Sequence, residues 1–185
     1  MLPMPKLKKG TPLYRVAFYG PMVAGKSTAA KYLVDSRGYT LVSFAAKLKL
    51  LAWDLFGIEG KGPEARLVLQ KLGTEYMRSI DDLVWIKHAL LRMESLGDDA
   101  RIVLDDVRFI NEAKWLKKNG FILILVDTPE EIRTERISRL YPETPPEAHT
   151  HSSEQEYTRI KPDFTISGVG YDTHANLDVI FKNIR

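Results

Sequence analysis

A glycine-rich loop that carries a lysine and a hydroxyl residue stands near the amino end of this chain of 185 residues. The residues that would form a phosphate cradle are Gly20, Pro21, Met22, Val23, Ala24, Gly25, Lys26, Ser27 and Thr28. Gly20 and Gly25 let backbone amides approach phosphate oxygens at a distance that a side chain would block. Lys26 can then reach the outer phosphates, and Ser27 can ligate Mg²⁺. We predict that this loop binds a nucleoside triphosphate.

The sequence around the loop has the order that such a site needs. An apolar run at 14–18 predicts a strand before the loop, and the segment 27–34 predicts a helix directly after it. The N-terminus of a helix attracts anions through its unpaired amides and its dipole. The alternative interpretation, a glycine-rich turn with a surface lysine, is disfavoured by this strand–loop–helix order.

Two adjacent carboxylates, Asp105 and Asp106, follow a short apolar segment at 102–104, and Arg108 comes two residues later. Ligands of open parallel sheets gather at the carboxyl ends of the strands. An acidic residue there can hold Mg²⁺ through its water shell, and Arg108 would face the phosphates. The alternative is that both aspartates are turn residues paired with Arg108. The residues alone leave both interpretations open.

A cationic stripe is predicted on a helix near residue 135, where Arg133, Arg136 and Arg139 are spaced by three. Such a stripe could close over a triphosphate and neutralise charge in the transition state. The rival interpretation is a solvated helix face on which the arginines pair with Glu131 and Glu135.

Two further groups of residues are weaker candidates. His149, His151 and Glu154 could hold a metal, but loop histidines without a further ligand pattern are more often solvated. Trp53, Trp85 and Trp115 occur among apolar residues at helical spacing, so we expect them in the core rather than stacked on a base.

The composition is that of an ordinary globular protein, with 44% hydrophobic and 28% charged residues. The absence of cysteine excludes disulfides, thiolate zinc sites and cysteine nucleophiles. A formal net charge of +3 would suit polyanionic small molecules as well as nucleic acid. No apolar run has the length of a membrane span, so we expect no membrane partner.

Short apolar strand patterns alternate with helix-length sequence. They occur at 15–19, 40–44, 102–104, 121–126 and 164–166. This alternation predicts an α/β fold with a parallel sheet that is covered on both faces. We expect one domain, 1–185, whose core comprises 13–44 and 100–185.

A long insertion, about 45–99, separates the second and third strand patterns. Its apolar residues are spaced by three or four, so it should be helical, with a break at the glycines and the proline of 57–63. Such an insertion beside a phosphate loop could hold a second substrate. The proline-rich segment 141–149 cannot continue the preceding helix, and we assign a lid to about 133–155.

With these residues noted, the chain resembles the nucleoside monophosphate kinases, and most closely the deoxynucleoside monophosphate kinases of bacteriophages. The resemblance runs through most of the chain. Its marks are the phosphate loop 20–28, the segments 43–49 and 69–75, Arg78, and the segments 82–85, 106–109, 111–112 and 151–154. The segments 69–75 and 106–109 are more selective than the loop, which many enzymes share.

The resemblance implies a P-loop fold of three layers, α/β/α, with a central five-stranded parallel sheet, a helical acceptor-binding insertion and an arginine-rich lid. The implied reaction uses ATP and Mg²⁺ to convert a deoxynucleoside monophosphate to the diphosphate. Lys26 would stabilise the migrating phosphoryl group, and Arg108 would bridge the phosphates. Ser27 and Asp106 would organise Mg²⁺, and Asp106 is favoured over Asp105 because the Asp-Val-Arg spacing aligns with it.

The resemblance also implies the residues of an acceptor site. Arg78 and Lys49 would receive the acceptor's phosphate, and Phe44, Gln70 and Trp85 would lie near its sugar or base. The lid arginines would be Arg133, Arg136 and Arg139. We further expect a cytoplasmic protein, in the host cell if the gene belongs to a phage, with no stable nucleic-acid partner. A homodimer is one possible assembly, and the sequence leaves the oligomeric state open.

Two alternatives remain beside this interpretation. One is a related kinase with another acceptor, such as dephospho-coenzyme A or a hydroxymethylated base. The other is a nucleotide-regulated protein that binds nucleic acid, for which the basic charge balance and the arginine stripe argue.

Overall fold

The computed structural model describes residues 15–59, 62–142 and 156–183, and its centre is a sheet of five parallel strands. The strands are β1 (Arg15–Tyr19), β2 (Thr40–Leu41), β3 (Ile102–Val107), β4 (Ile122–Asp127) and β5 (Phe164–Ser167). They lie in the order β2-β3-β1-β4-β5, so β1 occupies the middle. The predicted α/β class and the five-stranded parallel sheet are confirmed. Strand β2 is shorter than the predicted 40–44, whereas β3 is longer than 102–104.

The side chains of the central strand β1 alternate between two apolar clusters, one on each face of the sheet. Val16 and Phe18 belong to one cluster, and Ala17 and Tyr19 belong to the other. Successive side chains of a strand point to opposite faces, and a strand that is covered on both faces must therefore be apolar throughout. The continuous apolar sequence of β1 has this cause.

Helices form the two outer layers. Their bounds are α1 (Lys26–Arg37), α2 (Ala46–Phe56), α3 (Pro63–Gln70), α4 (Arg78–Ile80), α5 (Val84–Ser95), α6 (Ile110–Lys118), α7 (Glu130–Leu140) and α8 (Asp172–Asn183). Buried residues of α1 and α8 pack against one face of the sheet, and those of α5 and α6 pack against the other. A short 3₁₀ helix, Glu156–Arg159, precedes β5.

The insertion between β2 and β3 is helical, as predicted. Helix α2 is capped at its C-terminus by Gly57, whose φ is 63°, and α3 begins at Pro63, where a proline needs no amide partner. A π-helix, Lys71–Met77, joins α3 to α4. At Gly73 a Cβ atom would lie 2.4 Å from Cδ2 of Leu48, so the glycine allows α2 and the π-helix to pack closely.

The tryptophans differ from one another in burial. Trp85 is 3% exposed and Trp115 is half-buried against the same cluster, as expected. Trp53 is 53% exposed, so its predicted place in the core is wrong. It lies on the outer side of α2, where an amphipathic spacing does not tell which apolar residue faces the sheet.

Part of the predicted lid, 143–155, lies outside the described residues. The same is true of His149, His151 and Glu154, the weak candidates for a metal site. Within the described ranges, the structure contains no helix that is both long and apolar enough to span a membrane.

Gly168, directly after β5, is packed so tightly that alanine should not fit. A Cβ atom there would lie 1.7 Å from the carbonyl oxygen of Ala24 and 2.3 Å from Oγ1 of Thr128. Because one of these atoms is backbone, we expect Gly168→Ala to lower the free energy of unfolding by about 3 kcal/mol. Urea denaturation measures this change.

Gly62→Ala is the matched control, because a Cβ atom at Gly62 meets no atom within 4 Å and its φ of −65° suits alanine. We expect that variant to unfold like the wild type. Equal stability of Gly168→Ala and the wild type would contradict the packing described here.

Candidate active site

The phosphate loop has a backbone shape that its glycines make possible. The φ angles are 138° at Gly20 and 102° at Gly25, values that glycine adopts readily. A Cβ atom at Gly20 would also lie 2.5 Å from the carbonyl oxygen of Val126, and one at Gly25 would lie 3.1 Å from that of Gly168. Helix α1 begins at Lys26, within the last residues of the loop, and has no side-chain cap, so its first amides remain for an anion. The backbone therefore fits a polyphosphate.

Side chains from behind hold the loop in this shape. Thr128 Oγ1 donates a hydrogen bond to the carbonyl oxygen of Ala24 at 2.8 Å. Arg136 donates to the carbonyl oxygens of Val23, at 2.9 Å, and Gly168, at 3.0 Å. Among the described residues, Val23 is the one residue other than glycine with a positive φ, 53°. A β-branched residue is strained there, and these contacts help to maintain it.

The predicted arginine stripe therefore does not act as one unit. Arg136 binds backbone carbonyls of the phosphate loop and of the segment after β5. Arg133 donates from Nε to the carbonyl oxygen of Thr128 at 3.2 Å, and Arg139 is exposed. The geometry corrects the assignment of Arg136 to a lid that closes from outside, because its guanidinium is already part of the loop's support. The catalytic roles of Arg133 and Arg139 remain predictions.

Lys26 lies over the phosphate loop itself. Its Nζ donates to the carbonyl oxygens of Gly20 and Pro21 at 2.8 and 2.6 Å. An ammonium group has three donors on a flexible stem, so phosphate oxygens can replace these carbonyls without movement of the backbone. The role of Lys26 at the outer phosphates remains a prediction.

The two adjacent aspartates at the end of β3 have different partners. Asp105 Oδ2 accepts a 2.6 Å hydrogen bond from the hydroxyl of Ser27. Asp106 instead faces the segment after β2, so the expected pairing of Ser27 with Asp106 is wrong. Successive side chains of a strand point to opposite sides, and only one aspartate can face α1. A hydroxyl and a carboxylate oxygen are ligands that Mg²⁺ accepts, so Ser27 and Asp105 together fit that ion.

Asp106 anchors the turn that leads into α2. Its carboxylate accepts hydrogen bonds from the hydroxyl of Ser43 at 2.6 Å and from the amides of Phe44 and Ala45 at 3.1 and 3.0 Å. Burial raises the pKa of Asp106, and the three donated hydrogen bonds oppose this rise. Asp106 therefore positions the start of the insertion relative to the strand that carries Asp105.

A second buried carboxylate, Glu112, links the insertion to the loop after β3. It forms an ion pair with Arg78 and accepts hydrogen bonds from the amides of Arg108 and Phe109 at 2.9 and 3.1 Å. Burial raises the pKa of Glu112, and the guanidinium of Arg78 opposes this rise. Arg78 also lies 3.9 Å from the ring centroid of Phe109 and donates to the carbonyl oxygen of Asp82 at 3.1 Å.

This ion pair changes the interpretation of Arg78. We expected its guanidinium to receive the acceptor's phosphate, but the geometry does not support that role, because a buried carboxylate already neutralises the charge. Arg78 instead links α4 to α6. No sequence pattern indicated this partner, since Glu112 is far from Arg78 along the chain.

The other predicted acceptor residues divide into buried and accessible ones. Phe44 and Trp85 are each 3% exposed and belong to the core, so neither offers a ring face to a base, which corrects their assignment. Trp85 Nε1 donates to the carbonyl oxygen of Gly73 at 3.0 Å and thereby holds the π-helix. Gln70 is half-buried, and Lys49 and Arg108 are exposed, so their roles remain predictions.

Among the described residues, no group of three or more histidine, cysteine, aspartate or glutamate side chains could hold a metal. A transition-metal site built from such side chains is therefore not part of the described structure. The pair of Ser27 and Asp105 is different in kind, because Mg²⁺ usually keeps several waters and takes only one or two protein ligands beside substrate phosphates.

Sequence reasoning missed one cation at the loop. Arg66, on α3, approaches the sulfur of Met22 to 3.0 Å with Nη1, and its guanidinium lies 4.4 Å from the ring centroid of Tyr141. Its spacing of four from Gln70 was a signal, because residues four apart lie on the same side of a helix. The contact with Met22 itself depends on the tertiary structure.

No protein-family model matches the chain. A protein of Acanthamoeba polyphaga mimivirus described as "Putative deoxynucleotide monophosphate kinase" is 30% identical over an alignment of 142 residues, and the match covers 62% of this chain and 74% of that protein. This relative comes from a giant virus and not from a bacteriophage.

Solved structures share the fold. TT1252 from Thermus thermophilus has a TM-score of 0.58 at 19% identity, with 92% of this chain and 97% of that chain covered. A shikimate kinase from Acinetobacter baumannii in complex with shikimate has a TM-score of 0.58 at 18% identity, with 94% and 96% covered. At such identities the likeness shows the fold alone, which is that of P-loop kinases.

We expect the pair of Arg78 and Glu112 to be essential for stability. Their side chains are 11% and 2% exposed, and Arg78→Ala would leave Glu112 buried without its cation. Removal of one partner from a buried pair costs about 3–5 kcal/mol, so the free energy of unfolding should fall by that amount. Urea denaturation at neutral pH measures it.

Lys31→Ala is the control, because Lys31 pairs with Asp35 on the surface of α1 with side chains that are 75% and 56% exposed. Exposed pairs of this spacing contribute less than about 1 kcal/mol. If Arg78→Ala were no less stable than Lys31→Ala, the structural role of Arg78 would have to be abandoned.

Proposed function

The chain belongs to the same family as the mimivirus protein, and on this basis we propose that it transfers a phosphoryl group from ATP to a deoxynucleoside monophosphate. The main observation in support of the proposal is that the two adjacent aspartates at the end of β3 have different partners. Asp105 contacts Ser27 beside the phosphate loop, while Asp106 holds the turn that begins the insertion. One strand end would thus position a donor site and an adjacent second site.

The donor side would bind the triphosphate through backbone amides. The loop from Gly20 to Thr28 and the uncapped start of α1 supply these donors, and Lys26 supplies a positive charge at the outer phosphates. When Mg²⁺ is bound, it would neutralise charge on the phosphates, and Ser27 and Asp105 are the residues that would hold it. Thr128 and Arg136 keep the loop in place during binding.

The acceptor side would be formed by the insertion and the loop after β3. Lys49 and Arg108 are exposed cations on these two segments, and Gln70 offers an amide to a sugar or base. A phosphate oxygen of the acceptor is already a nucleophile, so the reaction needs no strong general base. Alignment of the two substrates and neutralisation of charge would supply most of the catalysis.

In the proposed transfer, an acceptor phosphate oxygen forms a bond to the γ-phosphorus of ATP. The bond between that phosphorus and the β,γ-bridging oxygen breaks, and its electron pair leaves with ADP. The products are ADP and a deoxynucleoside diphosphate. Exclusion of water would prevent hydrolysis of ATP in place of transfer.

We expect ADP release to depend on an acceptor. The experiment is a coupled ADP-release assay with each common deoxynucleoside monophosphate, and with ribonucleoside monophosphates, dephospho-coenzyme A and hydroxymethylated pyrimidines as competing acceptors. Turnover with one or more deoxynucleoside monophosphates is the expected result. If no deoxynucleoside monophosphate supported turnover, the proposal would be wrong. Turnover with only one of the competing acceptors would identify that compound as the substrate.

The same assay tests Lys26. Lys26→Ala should lower kcat by about a hundredfold or more, because the lysine supplies charge at the reaction centre and little packing. Lys31→Ala removes a lysine from the exposed side of the same helix and should leave kcat unchanged. Activity of Lys26→Ala near that of the wild type would contradict the assigned role.

Different kinetic defects are expected for the two aspartates of β3. Asp105→Asn should lower kcat about a hundredfold and raise the Mg²⁺ concentration needed for half-maximal rate, because it weakens the ion's oxygen ligand. Asp106→Asn should raise the acceptor KM about tenfold with little change in the KM for ATP, because it loosens the turn at Ser43. Steady-state kinetics at varied Mg²⁺ concentration separates the two. A shifted Mg²⁺ requirement in Asp106→Asn alone would restore the assignment of the metal to Asp106.

A further inference from the structure

Among the elements of the described chain, helix α2 carries the most large apolar side chains that are exposed. They are Leu50, Trp53, Leu55 and Phe56, each between 53% and 62% exposed, on a helix of 11 residues. Single exposed apolar residues are common on protein surfaces and need no explanation. Several of them on one short helix mark a surface that another molecule covers.

The outer side of α2 is centred on two of these residues. Successive residues of an α-helix are about 100° apart around its axis, so Leu50 lies about 160° from each of the buried residues Leu48 and Ala52. Trp53 lies about 60° from Leu50, and Phe56 about 60° further around the helix. Leu50 therefore faces away from the core, and Trp53 stands beside it.

We propose that this outer side of α2 is the interface of a homodimer, in which α2 packs antiparallel to α2 of a second copy about a two-fold axis midway between Leu50 and Trp53. Two-fold dimers are the commonest assemblies of identical chains, and each half of their interface must complement itself. With this axis, Leu50 of each copy packs against Trp53 of the other. Neither residue belongs to the site proposed for phosphoryl transfer, so the dimer is independent of that activity.

The charged residues of α2 complement one another in this arrangement. Lys47 and Asp54 are both exposed, and because they are seven residues apart they lie within about 20° of each other, on one flank of the outer side. A two-fold axis between antiparallel helices places each flank beside the same flank of the other copy. It also brings Lys47 to within about 3 Å, measured along the helix axis, of the height of Asp54 in the second copy. Two ion pairs would then border the apolar contact.

A parallel arrangement of the same two helices lacks this complementarity. In a parallel pair, the flank that carries Lys47 would lie beside the opposite flank of the second copy, where Lys49 and Phe56 are found. Lysine would then face lysine at nearly the same height, and Asp54 would have an apolar neighbour. Charges across an interface select orientation by such repulsion more than they add affinity. The charges of α2 therefore favour the antiparallel dimer.

The size of the surface sets the expected affinity. A helix of 11 residues is about 16 Å long, so two of them bury less area than the roughly 1,600 Å² of a standard stable interface. Interfaces of that standard size already range down to micromolar affinity. We expect a dissociation constant on the order of 10 μM for the dimer, with the indole of Trp53 as the largest single contribution.

Sedimentation velocity of the full chain, from well below to well above that concentration, measures the dimer directly. We expect the wild type to pass from monomer to dimer. Trp53→Ala should weaken dimerisation at least about tenfold, because it removes a central aromatic anchor. Val179→Ala is the matched control, since Val179 is 56% exposed on α8, which packs on the other face of the sheet, and should leave the dissociation constant unchanged.

Charge reversal tests the orientation of the two helices. Lys47→Asp and Asp54→Lys each turn both ion pairs into contacts between like charges, so each variant alone should dimerise about tenfold more weakly than the wild type. A mixture of the two variants should associate as the wild type does, because each contact would again join an acid and a base. All of these positions are exposed, and circular dichroism checks that each variant is folded.

The outcomes that would overturn the dimer are distinct from those that concern the activity. A wild type that stays monomeric over the whole range would refute it, and so would a dimer that folded Trp53→Ala leaves intact, because another surface would then form the interface. A mixture of the charge variants that associates no better than either variant alone would refute the antiparallel packing. A wild type that dimerises but phosphorylates no monophosphate would leave this interface standing and remove only the proposed function.

Discussion

Hydrogen bonds to the outward carbonyls of the phosphate loop are the interaction on which the rest of the site depends. The amide and the carbonyl of a peptide unit point in opposite directions, so a carbonyl bound from behind turns an amide toward the ligand. Thr128 and Arg136 bind the carbonyls of Ala24 and Val23 in this way. Because Val23 has a positive φ, the loop stores strain that these contacts offset. The cradle is thus formed before any anion arrives.

Two carboxylates, the half-buried Asp106 and the buried Glu112, organise the segments beside the phosphate loop. Asp106 holds the turn before α2, and Glu112 holds the loop after β3 together with Arg78. A buried charge is costly unless hydrogen bonds and a counter-charge surround it, so each carboxylate fixes the positions of several donors. The insertion is therefore attached to the sheet at two points.

Local sequence patterns were sufficient to predict the fold and the phosphate loop. The strand at 15–19, the glycine spacing and the helix after Lys26 are all adjacent in sequence, and each is a direct consequence of short-range sterics and periodicity. The spacing of apolar residues in the insertion also predicted that the insertion is helical. The bounds of β2 were harder to predict, because the amides of Phe44 and Ala45 donate to Asp106 and do not pair with β3. Trp53 was wrongly predicted to lie in the core, because the spacing of apolar residues identifies one face of a helix but does not show what packs against that face.

The sequence by itself determined an α/β chain with a phosphate loop at the end of its first strand, because those features depend on neighbours within a few residues. Tertiary structure alone decided which aspartate meets Ser27, since the facing side of β3 depends on where α1 packs. It also decided that Arg78 is bound by Glu112, that Arg136 supports the loop, and that Arg66 reaches Met22. Each of these contacts joins residues more than thirty positions apart, and only the packing of the helices on the sheet brings them within hydrogen-bond distance.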